Sequence, residues 1–155
     1  MQLPEFERHK DKFTITTDKR RLDLNVIHDF LTQSYWSPGI SRETVAQAIE
    51  NSLCFGIYIQ DGQIGFARVI SDYTTFAYLA DVFVLGAFRG QGLAKWLLEC
   101  ILGHPNLQHL RRWLLATKDA HALYAQSGFQ PLHAPDRFME IHNPNVYKML
   151  KEKTG

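Results

Sequence analysis

The chain of 155 residues has few of the features that mark secreted, metal-binding or membrane proteins. Its only two cysteines, Cys54 and Cys100, lie in apolar runs, so the sequence predicts neither a disulfide framework nor a metal site. No apolar run approaches the roughly 18 residues of a membrane span, and no charged-then-apolar leader opens the sequence. We therefore expect a soluble cytoplasmic protein with reduced cysteines and no membrane partner.

An excess of positive charge is also missing. Seventeen Lys and Arg residues oppose 16 Asp and Glu residues, which gives a formal net charge of +1. Affinity for the nucleic-acid backbone comes largely from surplus positive charge, so this balance argues against a nucleic-acid-binding protein. The length suits about one domain. We expect a single domain over residues 1–155, with the charged residues 1–12, which include Pro4, loosely ordered.

Hydrophobic periodicity and turn residues predict alternating strands and helices. Asp61-Gly62 is the strongest hairpin signal, and Asp23, Ser41 and Asp119 are the expected helix caps. Strands are expected at residues 13–17, 54–59, 63–70, 76–84 and 113–117, and helices with their caps at 23–34, 41–51, 90–103 and 120–127. A late extended segment at residues 138–141 and a polar tail follow.

The predicted order of these elements defines an α+β fold. We expect a central mixed, mostly antiparallel sheet with flanking helices. A helix connects the fourth and fifth predicted strands, and such a crossover normally joins parallel neighbours. These two strands are therefore expected to pair in parallel.

A glycine-rich junction links the fourth strand to the next helix. It consists of Arg89, Gly90, Gln91, Gly92, Leu93 and Ala94, and Lys95 follows in the first turn of the helix. The free N–H groups and the dipole at a helix N-terminus favour an anionic ligand such as phosphate, and glycines let that ligand approach the backbone. A P-loop and a dinucleotide fingerprint both need another spacing, and the lysine at position 95 fits neither. The alternative is a tight turn that binds nothing.

The run Arg89-x-x-Gly92-x-Ala94 resembles the acyl-CoA pyrophosphate loop of the GCN5-related N-acetyltransferase (GNAT) superfamily. A second match, Leu123-Tyr-Ala-Gln-Ser-Gly-Phe129, falls about where that superfamily places its tyrosine-bearing helix and the following strand. The resemblance is specific over about residues 76–131. It implies acetyl-CoA as cosubstrate, two strands that splay apart around the pantetheine arm, and direct attack by an amine in a ternary complex.

The resemblance also implies roles for single residues. The backbone N–H groups from Gly90 to Ala94, with the Arg89 region, would hold the pyrophosphate; Lys95 could help, although an exposed helix lysine without a role is the more common case. A backbone N–H near Phe83 or Val84 would polarise the thioester carbonyl. Thr117 stands where the superfamily commonly has Asn in contact with the cofactor arm. Tyr124 would assist the leaving thiolate. A thiol is a stronger acid than a phenol, so a hydrogen bond from Tyr124 is a better description than full proton transfer.

The general base is left open among three candidates. Asp81 lies among apolar residues of the fourth strand, where burial makes a carboxylate a stronger base, although a structural acceptor role is equally compatible. His121 lies three residues before Tyr124, on the same side of the predicted helix. Glu140 is on the late extended segment, which could line the acceptor side.

The acceptor is expected to be a small-molecule or peptide amine. The loop between the first two helices carries Tyr35 and Trp36, which are candidates for contacts with the acceptor; packing beneath the loop is the alternative. The protein is expected to be a monomer or a homodimer. Two other functions are compatible with the sequence: a non-catalytic acyl-CoA-binding regulatory domain, and an interaction domain whose glycine-rich turn binds nothing.

Overall fold

The computed structural model describes the backbone of residues 3–154 and the side chains of residues 3–150. It contains a six-stranded sheet and five α-helices within those residues. The strands are β1 (Glu7–Lys10), β2 (Phe13–Thr16), β3 (Leu53–Ile59), β4 (Gly62–Ser71), β5 (Phe76–Val84) and β6 (Arg112–Leu114). The helices are α1 (Leu24–Leu31), α2 (Arg42–Glu50), α3 (Leu93–Leu102), α4 (His121–Ala125) and α5 (Val146–Thr154).

The strands lie in the sheet in the order of the sequence, from β1 to β6. Neighbouring strands are antiparallel except β5 and β6, which are parallel. This confirms the predicted α+β class and the mixed, mostly antiparallel sheet. The two segments expected to be parallel do pair, but they are the fifth and sixth strands rather than the fourth and fifth, because the prediction missed β1.

The missed strand β1 lies in the stretch that was expected to be loosely ordered. All four of its residues, Glu7–Lys10, are polar and exposed, so it has no apolar alternation to reveal it. Its backbone pairs with β2, and Phe6, just before it, is buried in the core. The prediction of a loose start is therefore wrong for this segment.

Both faces of the sheet are covered by helices. On one face, α3 packs against buried residues such as Phe55 and Ile57. On the other, α1 and α2 pack against Cys54 and Phe66. Strands buried on both faces read as nearly continuous apolar runs, which is how β3 and much of β4 read in the sequence. No helix within residues 3–154 is long and apolar enough to cross a bilayer.

The caps of the first two helices are as predicted. The Asp23 side chain accepts hydrogen bonds from the N–H groups of Asn25 and Val26, and the Ser41 side chain accepts one from Thr44. Helix α1 ends at Leu31, three residues earlier than expected.

The third helix also differs from its predicted bounds. Helix α3 begins at Leu93 rather than at Gly90, because Gly90 and Gly92 have φ values of 81° and 77°. These values lie in the left-handed region, which a right-handed helix excludes.

Three expectations about the C-terminal third are wrong. Asp119 does not cap α4; instead, the Thr117 hydroxyl accepts a hydrogen bond from the Ala120 N–H at 3.1 Å, and the helix spans only His121–Ala125. The segment at residues 138–141 forms no strand, because no strand within the described residues pairs with it. The expected polar tail contains helix α5.

Candidate active site

The parallel strands β5 and β6 diverge after a short pairing. They pair only through Phe76–Tyr78 and Arg112–Leu114. Beyond that point, residues 79–82 of β5 and residues 116–120 after β6 line a cavity of about 590 Å³. The gap between the two strands is thus the splay that the sequence resemblance implied.

The backbone of β5 presents N–H groups to this gap. The Leu85 N–H donates to the Ile64 carbonyl at 2.8 Å, on the β4 side. Alternate N–H groups of an antiparallel strand point to opposite sides, so the Phe83 N–H points to β4 as well, while the N–H groups of Val82 and Val84 point to the gap. Of these residues, Val82 lines the cavity. Of the two alternatives predicted from the sequence, Val84 therefore has its N–H on the gap side and Phe83 does not, and Val82, which the sequence analysis did not single out, also has its N–H on that side.

A bulge in β5 surrounds Asp81. The register with β4 shifts between Phe66 and Arg68, and Asp81 has a φ of 57°, which is unusual for a residue with a Cβ. The Asp81 carboxylate accepts hydrogen bonds from Trp36 Nε1 at 2.9 Å and from Arg68 Nε at 2.8 Å. The side chain is only 10% exposed. Because both oxygens already hold N–H donors, the geometry favours the structural role over the base.

The aromatic loop between α1 and α2 spans the mouth of the cavity. Trp36 connects this loop to β5 by its hydrogen bond to Asp81. The Tyr35 hydroxyl connects the loop to the segment after β6, because it accepts a hydrogen bond from the Lys118 N–H at 3.0 Å. The two rings meet edge to face, with centroids 5.0 Å apart. Tyr35 is 51% exposed and Trp36 is 38% exposed, so neither is buried beneath the loop.

A second cleft continues from these two aromatic residues. Its volume is about 630 Å³, and Phe30 and Leu85 lie in its wall beside them. The Phe30 ring stacks on Phe83 of β5, with centroids 4.0 Å apart. Asp29 is the one charged residue that lines this cleft. The aromatic loop therefore separates the gap between the strands from a mainly apolar cleft on the α1 side.

Tyr124 of α4 lines the cavity between the strands, as expected. Burial, with smaller contributions from nearby Tyr35 and Asp119, raises the pKa of its phenol to about 12. The phenol is therefore protonated at neutral pH. Because no acceptor within the described residues takes its proton, Tyr124 can donate a hydrogen bond to a ligand.

Two of the sequence-predicted candidates lie elsewhere. His121 lines a neighbouring groove that shares Ala116, Thr117 and Tyr124 with the cavity, but His121 itself does not line the cavity that contains Asp81. Glu140 is exposed and does not line the cavity. His142 lines it instead. No sequence signal pointed to His142, because it lies in an irregular segment that the tertiary structure places beside the gap.

The glycine-rich junction forms an open nest of donors at the start of α3. No acceptor within residues 3–154 bonds to the backbone N–H groups of residues 90–95. Arg89 is tied across the turn, since its Nε donates to the Val84 carbonyl at 2.9 Å. Gly90 and Gly92 have open space where a Cβ would lie. Successive free N–H groups at the positive end of a ten-residue helix suit an anion.

The comparisons with known proteins agree with this geometry. The family model described as "Acetyltransferase (GNAT) domain" matches residues 50–131. This range contains β4, β5, the glycine-rich junction and Tyr124. The chain belongs to the GNAT acetyltransferase family.

Individual relatives support the same assignment. The structure of a GNAT-family protein from Xanthomonas campestris pv. campestris is 47% identical, with a TM-score of 0.87 over 90% of this chain and 99% of the other. A Gibberella zeae protein with the provisional name of an acetyltransferase is 28% identical over 74% of this chain and 77% of its own. A GNAT acetyltransferase from Elizabethkingia anophelis, solved with acetyl-CoA bound, shares the fold at 18% identity, with a TM-score of 0.62 over 86% of this chain and 90% of the other.

Proposed function

We propose that this protein transfers the acetyl group of acetyl-CoA to the nitrogen of a small-molecule or peptide amine, by direct attack in a ternary complex. The observation that carries the proposal is the free N–H nest of residues 90–95 at the end of a strand that splays from its neighbour. The fold of the acetyl-CoA-bound relative from E. anophelis supports the choice of donor. Neither cysteine lines the cavity, so we propose no covalent acyl-enzyme.

The donor is held by backbone groups. The N–H groups of residues 90–95 bind the pyrophosphate oxygens, and the Arg89 guanidinium and the Lys95 ammonium supply positive charge beside them. The pantetheine arm lies in the gap between β5 and β6, beside Thr117. The Thr117 hydroxyl already accepts the Ala120 N–H, which leaves its own O–H free to donate.

The reaction forms a C–N bond and breaks a C–S bond. The Val82 N–H donates a hydrogen bond to the thioester oxygen as negative charge develops there, an effect of about 3 kcal/mol for one such donor. The amine attacks the carbonyl carbon, and the coenzyme A thiolate leaves. Tyr124 donates a hydrogen bond to that sulfur. Its proton stays on the phenol, because the gap between a pKa of about 12 and a thiol pKa of about 8.5 corresponds to about 5 kcal/mol.

The amine must also lose a proton. His142 lines the cavity and has no hydrogen-bond partner within the described residues. Imidazole is the side chain best suited to take a proton near neutral pH, so we assign this role to His142, directly or through water. Asp81 acts as a positioning residue that holds the bulge and the aromatic loop together.

The cleft on the α1 side receives the body of the acceptor. Its wall is formed by Phe30, Tyr35, Trp36 and Leu85, and no Lys, Arg or His lines it. A ligand carboxylate or phosphate would have no cation to pair with there. We therefore propose that the preferred acceptors are amines with an apolar or aromatic body rather than anionic amines.

Thermal unfolding with acetyl-CoA, coenzyme A, ATP and NAD tests the donor site first. We expect the two coenzyme A species alone to raise the melting temperature in a concentration-dependent manner. If none of the four compounds raises it, the donor site is refuted. Thiol release is then measured with an acceptor panel that includes phenethylamine, a diamine, an amino acid and glucosamine 6-phosphate. If the anionic amines release thiol faster than phenethylamine does, the proposed acceptor class is refuted, while the donor site is unaffected.

Tyr124→Phe tests catalysis by the same assays. We expect at least a tenfold lower rate with unchanged coenzyme A affinity, because the lost hydrogen bond is made to the leaving group. Tyr73→Phe is the control, since it makes the same chemical change outside the cavity. Stabilisation by coenzyme A without turnover of any amine would instead support a non-catalytic acyl-CoA-binding domain.

A further inference from the structure

The cleft on the α1 side has one charged group in its wall among the described residues, the Asp29 carboxylate. Val26, Asp29 and Phe30 line the cleft together, because residues three and four apart lie on one face of a helix. The Asp29 side chain is 78% exposed, so it can meet a ligand that enters the cleft. The cleft therefore offers a ligand a single negative group on a mainly apolar wall.

No cation of the described chain binds Asp29 at hydrogen-bond distance. Its one ion-pair partner there is His28, whose Nδ1 lies 3.9 Å from Oδ1. The other ring nitrogen of His28, Nε2, lies 2.9 Å from the Ile40 carbonyl oxygen. A carbonyl oxygen can only accept, so Nε2 carries a hydrogen, and Nδ1 of the neutral ring has none to donate. The carboxylate is thus available to a cation in the cleft.

Three aromatic rings line the same cleft at large angles to one another. The Tyr35 and Trp36 rings meet at 81°, with centroids 5.0 Å apart. The Phe30 and Trp36 rings meet at 45°, with centroids 6.2 Å apart. Rings at such angles form a concave wall rather than a flat stack, and the faces of aromatic rings attract cations. A carboxylate beside this wall completes a pocket that favours an ammonium group.

Hydrogen bonds hold the two rings of the aromatic loop in these orientations. Trp36 donates to Asp81, and the Tyr35 hydroxyl accepts from the Lys118 N–H. The Lys118 ammonium lies 5.6 Å from the centre of the Tyr35 ring. Lys118 lines the cavity between the strands but not the cleft, so the cleft itself contains no cation of the described chain. Rings fixed in advance lose little conformational entropy when a ligand binds.

We propose that the cleft binds a second, cationic group of the acceptor, with Asp29 as the residue that determines this specificity. The reacting amine attacks in the cavity between the strands. An ammonium or quaternary ammonium group at the other end of an aliphatic spacer lies against the three rings, beside Asp29. Tyr35 and Trp36 line both spaces, so one molecule can extend from one into the other. This inference rests on the proposed acetyl transfer and names its acceptor class: small-molecule amines with a second positive charge.

A matched pair of acceptors tests the preference for charge. (5-Aminopentyl)trimethylammonium and 6,6-dimethylheptylamine have nearly the same shape and differ mainly in the positive charge. We expect a KM about fivefold lower for the cationic acceptor, with a similar kcat. The neutral acceptor is the more hydrophobic of the two, so a cleft without a preference for charge would bind it more tightly. An equal or lower KM for the neutral acceptor would therefore overturn the proposal.

Asp29→Asn separates the contribution of the charge from that of the shape. It should raise the KM of the cationic acceptor about 3- to 5-fold and leave that of the neutral acceptor unchanged. Glu99→Gln is the matched control, because it makes the same change at an exposed position of α3, on the other face of the sheet, and should alter neither KM. Thermal unfolding checks that both variants are folded. If Asp29→Asn changes neither KM, or both equally, the role of Asp29 is refuted.

Binding without turnover keeps this inference separate from the proposed function. Hexyltrimethylammonium lacks the reacting amine, so it can bind but not react. Its methyl protons should shift upfield in NMR titrations with the protein, because ring faces shield nuclei that lie over them. Phe30→Leu, which keeps an apolar side chain but removes one ring, should reduce this shift. No shift with the wild type would overturn the proposal, whereas a shift without thiol release from any amine would support the cation site and refute acetyl transfer.

Discussion

Gly92→Ala is the sharpest perturbation of the candidate anion nest. Gly92 has a φ of 77° and directly precedes the first residue of α3. An added Cβ would meet no atom within 4 Å, so the substitution introduces no clash. Its cost is the left-handed conformation, about 1–2 kcal/mol for a residue with a Cβ. That free energy must be lost from stability, from ligand binding or from both.

How this conformational free energy divides between folding stability and coenzyme A affinity depends on whether the turn keeps its shape in the variant. If the turn keeps its shape, the free energy of unfolding falls by the full amount, and the melting temperature drops by about 2–8 °C for a chain of this size. If the turn relaxes, stability is retained, and coenzyme A affinity falls by about 5- to 30-fold because binding must restore the nest. We expect the sum of the two losses to be about 1–2 kcal/mol.

The assay combines chemical denaturation with calorimetric titration of coenzyme A. Gly39→Ala is the matched control, since Gly39 has a φ of 79°, equally open surroundings and a position in the α1–α2 loop. We expect it to lower stability without changing coenzyme A affinity. Gly86→Ala, at a position without positive φ and with open space, should change neither quantity. The nest assignment fails if Gly92→Ala changes neither, or if Gly39→Ala weakens binding equally.

Three further predictions follow from buried polar groups. Trp36→Phe removes one of the two hydrogen-bond donors to the carboxylate in the β5 bulge, which should lower the free energy of unfolding by about 1–3 kcal/mol and raise the KM for the acceptor. Trp113→Phe breaks no side-chain hydrogen bond in the described residues and should leave that KM unchanged. Equal effects of the two substitutions on KM would refute the role of Trp36 in holding the aromatic loop. Burial raises the pKa of Cys54 to about 12 and that of Cys100 to about 11. At pH 8 both thiols should therefore react with a disulfide reagent at least 100-fold more slowly than free cysteine until the protein is denatured. Rapid labelling of the native protein would contradict this prediction. Burial lowers the pKa of His104, so the unfolded state binds more protons than the folded state. The free energy of unfolding should therefore fall as the pH drops below about 6.5, by at most about 2 kcal/mol at pH 5. Denaturation at each pH measures this, and an equal fall in the His104→Phe variant would refute the assignment to His104.

The features that the sequence predicted correctly depend on neighbouring residues along the chain. Asp23 and Ser41 cap their helices because a short polar side chain reaches N–H groups two or three residues ahead. The hairpin predicted at Asp61-Gly62 does join β3 and β4, but its two turn residues are Gln60 and Asp61, and the left-handed position is Gln60 rather than a glycine. The glycines of the junction take left-handed conformations that few other residues tolerate. The motif on which the proposed donor site rests is therefore readable from sequence.

Strand formation was predicted less well, because it needs a partner. Glu7–Lys10 is polar and has no strand pattern, yet β2 pairs with it. Residues 138–141 have the pattern, yet nothing within the described chain pairs with them. These two errors have the same cause: a strand is stabilised by hydrogen bonds to another segment, and its own residues do not say whether that segment is available.

The sequence by itself determined the family, the sheet class and the residues of the glycine-rich junction. Only the tertiary structure decided the roles around it. Asp81 meets Trp36 and Arg68, which lie 45 and 13 residues away, and these two hydrogen bonds favour the structural role over that of a base. His121 lines a neighbouring groove, while His142 lines the cavity from an irregular segment. Such assignments depend on which distant segments the fold brings together, and that is a property of packing rather than of local pattern.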